Sequence, residues 1–452
     1  MLHIQRIFWG SFAVLSVLWV LAEPRFYQAS TVFEWRVYMR QYTGLIAMGA
    51  MSVAMLLALR PRWPERWLGG LDKMYRLHKW LGISALIVSI LHWLWVKVPK
   101  WAVGWGLLER PARGGSGANA IDNVFEAWFH SQRGLAESIG EWAFYAAVVL
   151  IALALIRFFP YHLFYKSHRL LALAYLVLVF HSVVLIEFAY WGAPVGWLMA
   201  ALLAGGTVAA VVVLLRRVGA GQQVQATIAA INYYQGVDAL EVTVDAPDWP
   251  GHIPGQFAFA MSDRSEGAHP YTIASAWKPD QPQLTAVIKG LGDHTRRLHD
   301  QLQLGQVLRV EGPYGCFTFD DGCARQIWVG AGIGITPFIS RLDYMRQQAA
   351  SGQPTWPRGQ DINLFHSTAD IDQDALARLV EDARAADVRL QIIDGKQGRL
   401  TGQRIRDEVP GWREASIWFC GPVGFADALR RDFAAQGFPV EQRFHHELFQ
   451  MR

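Results

Sequence analysis

The chain has 452 residues, 52% of them hydrophobic, and a formal net charge of only +4. That length is too great for one core and points to several domains, while so small a charge gives no ground for a nucleic-acid partner. The three cysteines, Cys316, Cys323 and Cys420, all fall in the C-terminal half, and their spacing fits neither a zinc site nor a disulfide framework.

The apolar residues are concentrated in the first 217 positions, in six long runs: Ile7 to Ala22, Thr43 to Leu59, Trp80 to Val96, Trp142 to Phe159, Leu170 to Tyr190 and Val195 to Leu215. Each is near the ~17–25 residues that span hydrocarbon. The first is the shortest; no small-residue cleavage site follows it, so it reads as a span and not as a secretory signal. Tryptophans near the run ends (Trp35, Trp63, Trp67, Trp95, Trp101, Trp191) suit a bilayer interface. The basic residues Arg60, Arg62, Arg66, Lys73, Arg76, Lys166, Arg169, Arg216 and Arg217 fall on one side, together with both termini. That side reads as cytoplasmic. The connection Lys97 to Glu141 then faces outward, and its stretch Ala120 to Ile139 reads either as an amphipathic helix on the membrane surface or as loop.

Two of the predicted spans carry histidines in pairs, His78 and His92 in the third, His168 and His181 in the fifth. At ~1.5 Å per residue the two histidines of one helix stand roughly 20 Å apart along its axis. A histidine inside a span is costly and points to function. Side by side, the two helices can hold two haems at two depths, each iron taking one imidazole from each helix. Fourteen residues return to within about 40° of the same helix face, but thirteen leave His168 and His181 about 140° apart. A π-bulge would correct this, as would ligation from different angles. His162 and His130 have no matching partner and read as structural.

After Arg217 a short glycine-containing linker leads to the strands Val224 to Ile231, Ala239 to Val244, Gln256 to Met261, Gln283 to Ile288 and Val307 to Glu311, a pattern that predicts a small antiparallel β-barrel. From Arg325 strands alternate with helices. The strands are Gln326 to Val329, Ile362 to Phe365, Leu390 to Ile393 and Ser416 to Cys420, as expected of a parallel α/β domain. The expected division is 1–217, 218–320 and 321–452.

Four motifs lie in these two domains. His269-Pro270-Tyr271-Thr272-Ile-Ala-Ser275 ends a strand and sets an aromatic ring beside hydroxyls, which suits a flat, hydrogen-bonding ligand. Lys289-Gly-Leu-Gly292-Asp-His-Thr295 opens a helix whose free N–H groups and dipole suit a phosphate. Gly330-Ala-Gly332-Ile-Gly334-Ile-Thr336-Pro337 follows a strand and opens a helix, the context a phosphate-cradling loop requires. Ile335 stands where the standard dinucleotide fingerprint has its third glycine. No Asp or Glu comes just after the second strand, where His366, Ser367 and Thr368 stand. Hydroxyls without a carboxylate favour a 2′-phosphate, so NADPH is expected, with NADH possible, and Lys396 and Arg399 add charge. Cys420-Gly421-Pro ends the last core strand and can face a nicotinamide.

In this order the motifs resemble the ferric reductase/NADPH oxidase superfamily of transmembrane flavocytochromes over nearly the whole chain. The resemblance implies a six-helix transmembrane haem bundle, an antiparallel β-barrel FAD domain and a parallel α/β nucleotide-binding domain. It implies that His78 and His168 ligate an inner b-type haem, and His92 and His181 an outer one. His269, Pro270, Tyr271, Thr272 and Ser275 would hold the flavin, with Lys289, Gly292 and Thr295 near the FAD pyrophosphate. Gly330, Gly332, Gly334, Thr336, Pro337 and Ser367 would bind the pyridine nucleotide, with Cys420 and Gly421 near the nicotinamide. Phe449 resembles the C-terminal aromatic that covers the flavin, although Gln450, Met451 and Arg452 follow it here. Val96 replaces a histidine associated with oxygen reduction in superoxide-producing relatives; Arg40 could serve instead. The implied activity is electron transfer from cytosolic NAD(P)H outward across the plasma (inner) membrane to oxygen or ferric iron. The alternatives are an electron-donating subunit for a periplasmic redox protein, and a flavin reductase whose spans only anchor it.

Overall fold

The computed structural model describes residues 2–109, 123–156, 158–263, 267–352 and 361–447. Six of its helices are long and apolar enough to cross a membrane: α1 (Leu2–Ala22), α2 (Val32–Ala58), α3 (Leu71–Gly104), α4 (Val124–Leu155), α5 (Tyr161–Leu185) and α6 (Pro194–Leu214). Several outrun the apolar runs that signal them. α3 adds nine residues before Trp80, and α4 begins 18 residues before Trp142. Residues 124–139 are thus neither loop nor a separate surface helix but the first half of a spanning-length helix. Asn123 starts it, its side chain accepting from the N–H groups of Phe125 and Glu126. Thr31 and Glu34 form a reciprocal capping box at the start of α2. The α5 backbone is α-helical throughout, without a π-bulge.

The chain folds as two compact units, one of Leu2–Pro61 with Met74–Val218, the other of Arg62–Lys73 with the chain from Gly219 onward. The first is the helical bundle, whose core includes Leu45, Ala172, Tyr175 and Met199. In the second, six antiparallel strands run β1 (Gln223–Tyr234), β2 (Ala239–Asp245), β3 (Phe257–Met261), β4 (His269–Thr272), β5 (Gln283–Lys289) and β6 (Val307–Tyr314). Helix α7 (Asp293–Gln301) stands between β5 and β6. Their order, β4-β3-β6-β1-β2-β5, leaves β4 and β5 as the two edges. These meet only at an isolated Ile273–Ala286 bridge and where the Ala274 N–H donates to the Thr285 carbonyl (2.7 Å). The expected barrel is therefore an open sheet. β4 has four residues, and Pro270 among them has no N–H for a ladder.

The remaining sheet is parallel, in the order β11-β10-β7-β8-β9. It comprises β7 (Arg325–Ala331), β8 (Asp361–Thr368), β9 (Arg389–Asp394), β10 (Ser416–Cys420) and β11 (Phe444–Glu447). Helices α8 (Thr336–Ala350), α9 (Gln373–Ala385), α10 (Gly402–Glu408) and α11 (Val423–Ala435) connect them. Strand order reverses between β7 and β10, the switch point at which such sheets bind ligands. Phe338 on α8 is fully buried, its ring against Phe317, Phe319 and Trp328 at centroid distances of 5.9, 5.6 and 5.6 Å. Phe338→Ala should cost about 3–5 kcal/mol, read as a fall in the unfolding midpoint of the purified protein in detergent.

Candidate functional site

The helical bundle brings the four histidines together as two pairs. The ring centres of His78 and His168 lie 5.9 Å apart, those of His92 and His181 6.4 Å apart. In three of the four, Nδ1 faces a main-chain carbonyl: His78 that of Ala54 (2.9 Å), His92 that of Arg40 (3.0 Å) and His181 that of Ala136 (2.9 Å). A carbonyl only accepts, so Nδ1 carries the hydrogen and Nε2 presents its lone pair, the tautomer a metal requires. Ala54 and Arg40 are both on α2, and their separation along that helix equals that of His78 and His92 along α3. The fourth imidazole, His168, lies on the ring of Phe164 (4.9 Å, 20° between planes).

The thirteen-residue spacing is met by a change of approach rather than of helix geometry. His181 lies over Gly140 of α4, so closely that a Cβ there would stand 2.0 Å from its Nδ1. Only glycine leaves room for that ring.

A metal–imidazole bond of about 2 Å places two rings sharing one ion roughly 6 Å apart, centre to centre. Both pairs meet that distance. Among the described residues, no group of three or more His, Cys, Asp or Glu side chains could hold a bare metal ion. Two ligands alone suit an iron whose other bonds come from a macrocycle. Among the described residues, two buried guanidinium nitrogens have no hydrogen-bond partner, Arg36 Nε on α2 and Arg169 Nη1 on α5. They suit haem carboxylates. The residues present therefore fit haem.

In the second unit, His269 on β4 stacks on His294 of α7 (4.0 Å, 13°), and the Tyr271 hydroxyl lies 3.4 Å from His294 Nε2. Among the described residues the buried Thr272 hydroxyl has no hydrogen-bond partner, as a site for a polar ring would leave it. The Ser275 hydroxyl accepts from the Thr285 N–H (3.0 Å) and so holds the loop together. At the start of α7, Thr295 Oγ1 accepts from the N–H groups of both Leu291 and Gly292 (3.0 Å each). Those two donors are thus already engaged. A Cβ on Gly292 or Gly332 would meet nothing within 4 Å, so both backbones stand open to an approaching group.

The glycine loop after β7 passes under the end of β10. A Cβ on Gly334 would stand 2.2 Å from the Cys420 carbonyl oxygen, which puts Gly330–Pro337 and Cys420-Gly421 on the two sides of the switch point. Thr336 is buried and donates to the Ile333 carbonyl (2.8 Å). Burial, then the nearby Glu447 carboxylate, push the Cys420 thiol well above its ordinary range, so it stays a thiol. A cavity of about 120 Å³ opens beside the loop, lined by Gly332, Ile333, His366, Thr368, Lys289 and Asp370.

Two features of that cavity lie outside the sequence reading. Lys289 pairs with Asp370 at 2.8 Å. Asp370 itself lies two residues beyond β8, so the region does hold a carboxylate, and the Thr368 hydroxyl is spent on the Asp370 carbonyl (2.7 Å). Ser367 lies at the same edge, paired with Ala331 and Ile393. Phe449 lies outside the described residues. Sequence reasoning missed Gly140, which it left in the connection before the fourth run, and Asp370; His294 was passed over although it lies within the Gly292-Asp-His-Thr295 motif.

Residues 43–179 match the family described as "Ferric reductase like transmembrane component", and residues 223–318 match "FAD-binding domain". A flavohemoprotein of Deinococcus radiodurans is 26% identical over 43% of this chain and 51% of its own length. An NADPH oxidoreductase of Mycobacterium tuberculosis is 33% identical over 32% of this chain and 37% of its own. The chain thus spans about half the length or less of these relatives. The flavohaem-like FAD/NAD-binding domain of a Vibrio cholerae nitric oxide dioxygenase superposes with a TM-score of 0.40 at 15% identity, over 50% of this chain and 97% of that one.

Burial, then the His294 imidazole, hold His269 down to about 4, against an ordinary 6.5. The unfolded chain therefore takes up that proton first, and stability should fall as pH drops from 6.5 towards 4. Thermal unfolding at pH 7 and pH 5 should show the fall, and His269→Gln should lessen it.

Proposed function

Starting from an oxidoreductase that matches the ferric reductase/NADPH oxidase superfamily, with a ferredoxin reductase-type dehydrogenase half, we propose that the chain carries electrons from cytosolic NAD(P)H, through FAD and two b-type haems, to a one-electron acceptor outside the cell's inner membrane. That acceptor is oxygen, giving superoxide, or a ferric chelate. The observation that supports this most is the pairing of the four histidines at two depths, each pair spaced for one shared metal. FAD, when bound, takes electrons as a pair and the haems pass them singly.

The chain's own residues do the rest. His78 and His168 would hold the inner haem through Nε2, and His92 and His181 the outer one. Held by two imidazoles each, the haems would supply one-electron transfer and would leave no ligand position for an acceptor. Arg36 and Arg169 offer buried positive charge near the two levels. Thr272, Tyr271 and the His269–His294 stack would bind and orient the flavin. Gly332 and Gly334 allow the nucleotide backbone to come close, and Cys420, a buried neutral thiol, would pack beside the nicotinamide without acting as a nucleophile. Lys289 neutralises Asp370, and Lys396 also acts on that carboxylate, so the ribose edge is not left acidic. This keeps NADPH as the expected reductant. Domain limits of 1–217, 218–320 and 321–452 remain part of the proposal.

A second reading rests on the connection expected to face outward, where Trp105, Leu107, Val124 and Phe125 are each more than two-thirds exposed. Such a surface suits a periplasmic redox protein, in which case small acceptors would turn over slowly until that protein is added.

The deciding experiment is haem absorbance after anaerobic NADPH reduction with FAD, followed by air. Fast reoxidation with superoxide release means an oxidase; haem that stays reduced in air but is discharged by a ferric chelate means a metal reductase. His92→Ala and Gly140→Ala should each remove one of the two haems, measured as haem per protein, whereas an anchor-only bundle predicts no change. Lys396→Ala should raise the KM for NADPH by about tenfold, the loss of one charged contact, and leave that for NADH unchanged. An equal rise for both nucleotides would contradict this role.

A further inference from the structure

The main chain at the end of the His269–Ser275 motif is fastened by side chains from two other parts of the fold. The Ser275 carbonyl accepts from Ser340 Oγ (2.9 Å) and from His252 Nε2 (2.8 Å). The next N–H, that of Ala276, donates to Asp343 Oδ2 (2.8 Å). Ser340 and Ala276 are buried, so removing one of these partners leaves a main-chain group short of a hydrogen bond where water does not replace it.

The groups that meet here are themselves held. Asp343 Oδ1 accepts from Arg346 (2.8 Å), and its Oδ2 accepts from Gln347 (3.0 Å) as well as from Ala276. His252 lies between β2 and β3. Trp249 Nε1 donates to its Nδ1 (3.3 Å), so the one ring hydrogen sits on Nε2 and points at the Ser275 carbonyl. Burial, only partly offset by that carbonyl and by Asp343, holds the imidazole below its ordinary range and keeps it neutral, as this pair of bonds requires.

Ser340 and Asp343 lie on α8, about one and two turns beyond Thr336. The first turn of α8 carries the glycine loop, and its flank carries the end of the flavin motif. A separate set of ties, Arg378 to Glu241 and the Gly236 N–H to Asp372, joins the same two sheets through α9. Loss of the α8 junction therefore loosens the loop without parting the sheets.

We propose that Asp343, Ser340 and His252 are positioning residues for hydride transfer, which lock the Ser275–Ala276 peptide to α8 and so fix the flavin motif against the nucleotide loop. The inference rests on the electron-transfer reading above. Thr272 and Tyr271 orient one ligand, and Gly332 and Gly334 admit the other. The junction sets where these two groups of residues stand relative to each other. Hydride transfer needs near contact, and a misplacement of about 1 Å costs on the order of a hundredfold.

Two measurements on the full-length protein test it. In the nucleotide-free protein, hydrogen–deuterium exchange read by mass spectrometry should be slow in the peptide spanning Ser275 and Ala276. It should be at least about tenfold faster there in Asp343→Ala, and slow again in Asp343→Asn, whose amide oxygen still accepts from the Ala276 N–H. In anaerobic stopped-flow with FAD bound, Asp343→Ala and Ser340→Ala should lower the limiting rate of flavin bleaching by NADPH at least about tenfold. The NADPH concentration giving half that rate should not change, and Asp343→Asn should keep the wild-type rate. Exchange in Asp343→Ala as slow as in the wild type overturns the proposal. So does wild-type bleaching in both alanine variants, or a loss in Asp343→Asn equal to that in Asp343→Ala. If Asp343→Ala does not hold FAD, Ser340→Ala decides, because there the Ser275 carbonyl keeps its His252 donor. Wild-type flavin that neither NADPH nor NADH bleaches overturns the electron-transfer reading, and this inference with it.

Discussion

Each histidine in the bundle must place one ring nitrogen where nothing competes for its lone pair, and in an apolar interior this is possible only if the other nitrogen is satisfied. Main-chain carbonyls of neighbouring helices meet that demand at Ala54, Arg40 and Ala136. This sets more than side-chain orientation. The two carbonyls on α2 recur at the same interval as the histidines on α3, so the register of those two helices is tied to the site. A one-turn slip of either would leave two imidazoles without their partners. The rise at which the helix repeats thus becomes the spacing of the two histidine pairs, so the bundle's packing fixes where the imidazoles stand.

The second unit is organised by a different constraint, close approach of backbone to backbone. Gly334 touches the end of β10, which brings the loop after β7 and the Cys420-Gly421 turn to the reversal point of the parallel sheet. Polar groups around it are mostly engaged in holding the two sheets together. Arg378 on α9 pairs with Glu241 on β2 (2.9 Å), the Gly236 N–H donates to Asp372 (3.0 Å), and Lys289 pairs with Asp370. Among the described residues of this unit, the Thr272 hydroxyl, the Gln222 side-chain carbonyl and one Glu447 carboxyl oxygen are buried without a hydrogen-bond partner.

Much of the architecture was legible in the residues. Six apolar runs of spanning length became six helices, because hydrocarbon thickness and helix rise leave little choice. Strand alternation followed by strand–helix alternation became an antiparallel and then a parallel sheet. The errors share a cause. Apolarity marks where a helix meets lipid, not where its hydrogen bonds end, so α3 and α4 run well past their apolar runs. The barrel failed to close because one edge is a four-residue strand containing Pro270, a local fact with a consequence visible only across the sheet.

The identity and spacing of the histidines, the order of the glycine-rich motifs and the placing of six spanning-length apolar helices before the strands were determined by the sequence alone, since each depends on periodicity or on local backbone chemistry. Which carbonyl fixes each imidazole, that Gly140 makes room for His181, and that Lys289 pairs with Asp370 were decided by tertiary structure. Those are meetings between residues from 24 to 81 positions apart in the chain or held open by the absence of a side chain. No local pattern encodes them, because the free energy that selects them belongs to the packed whole.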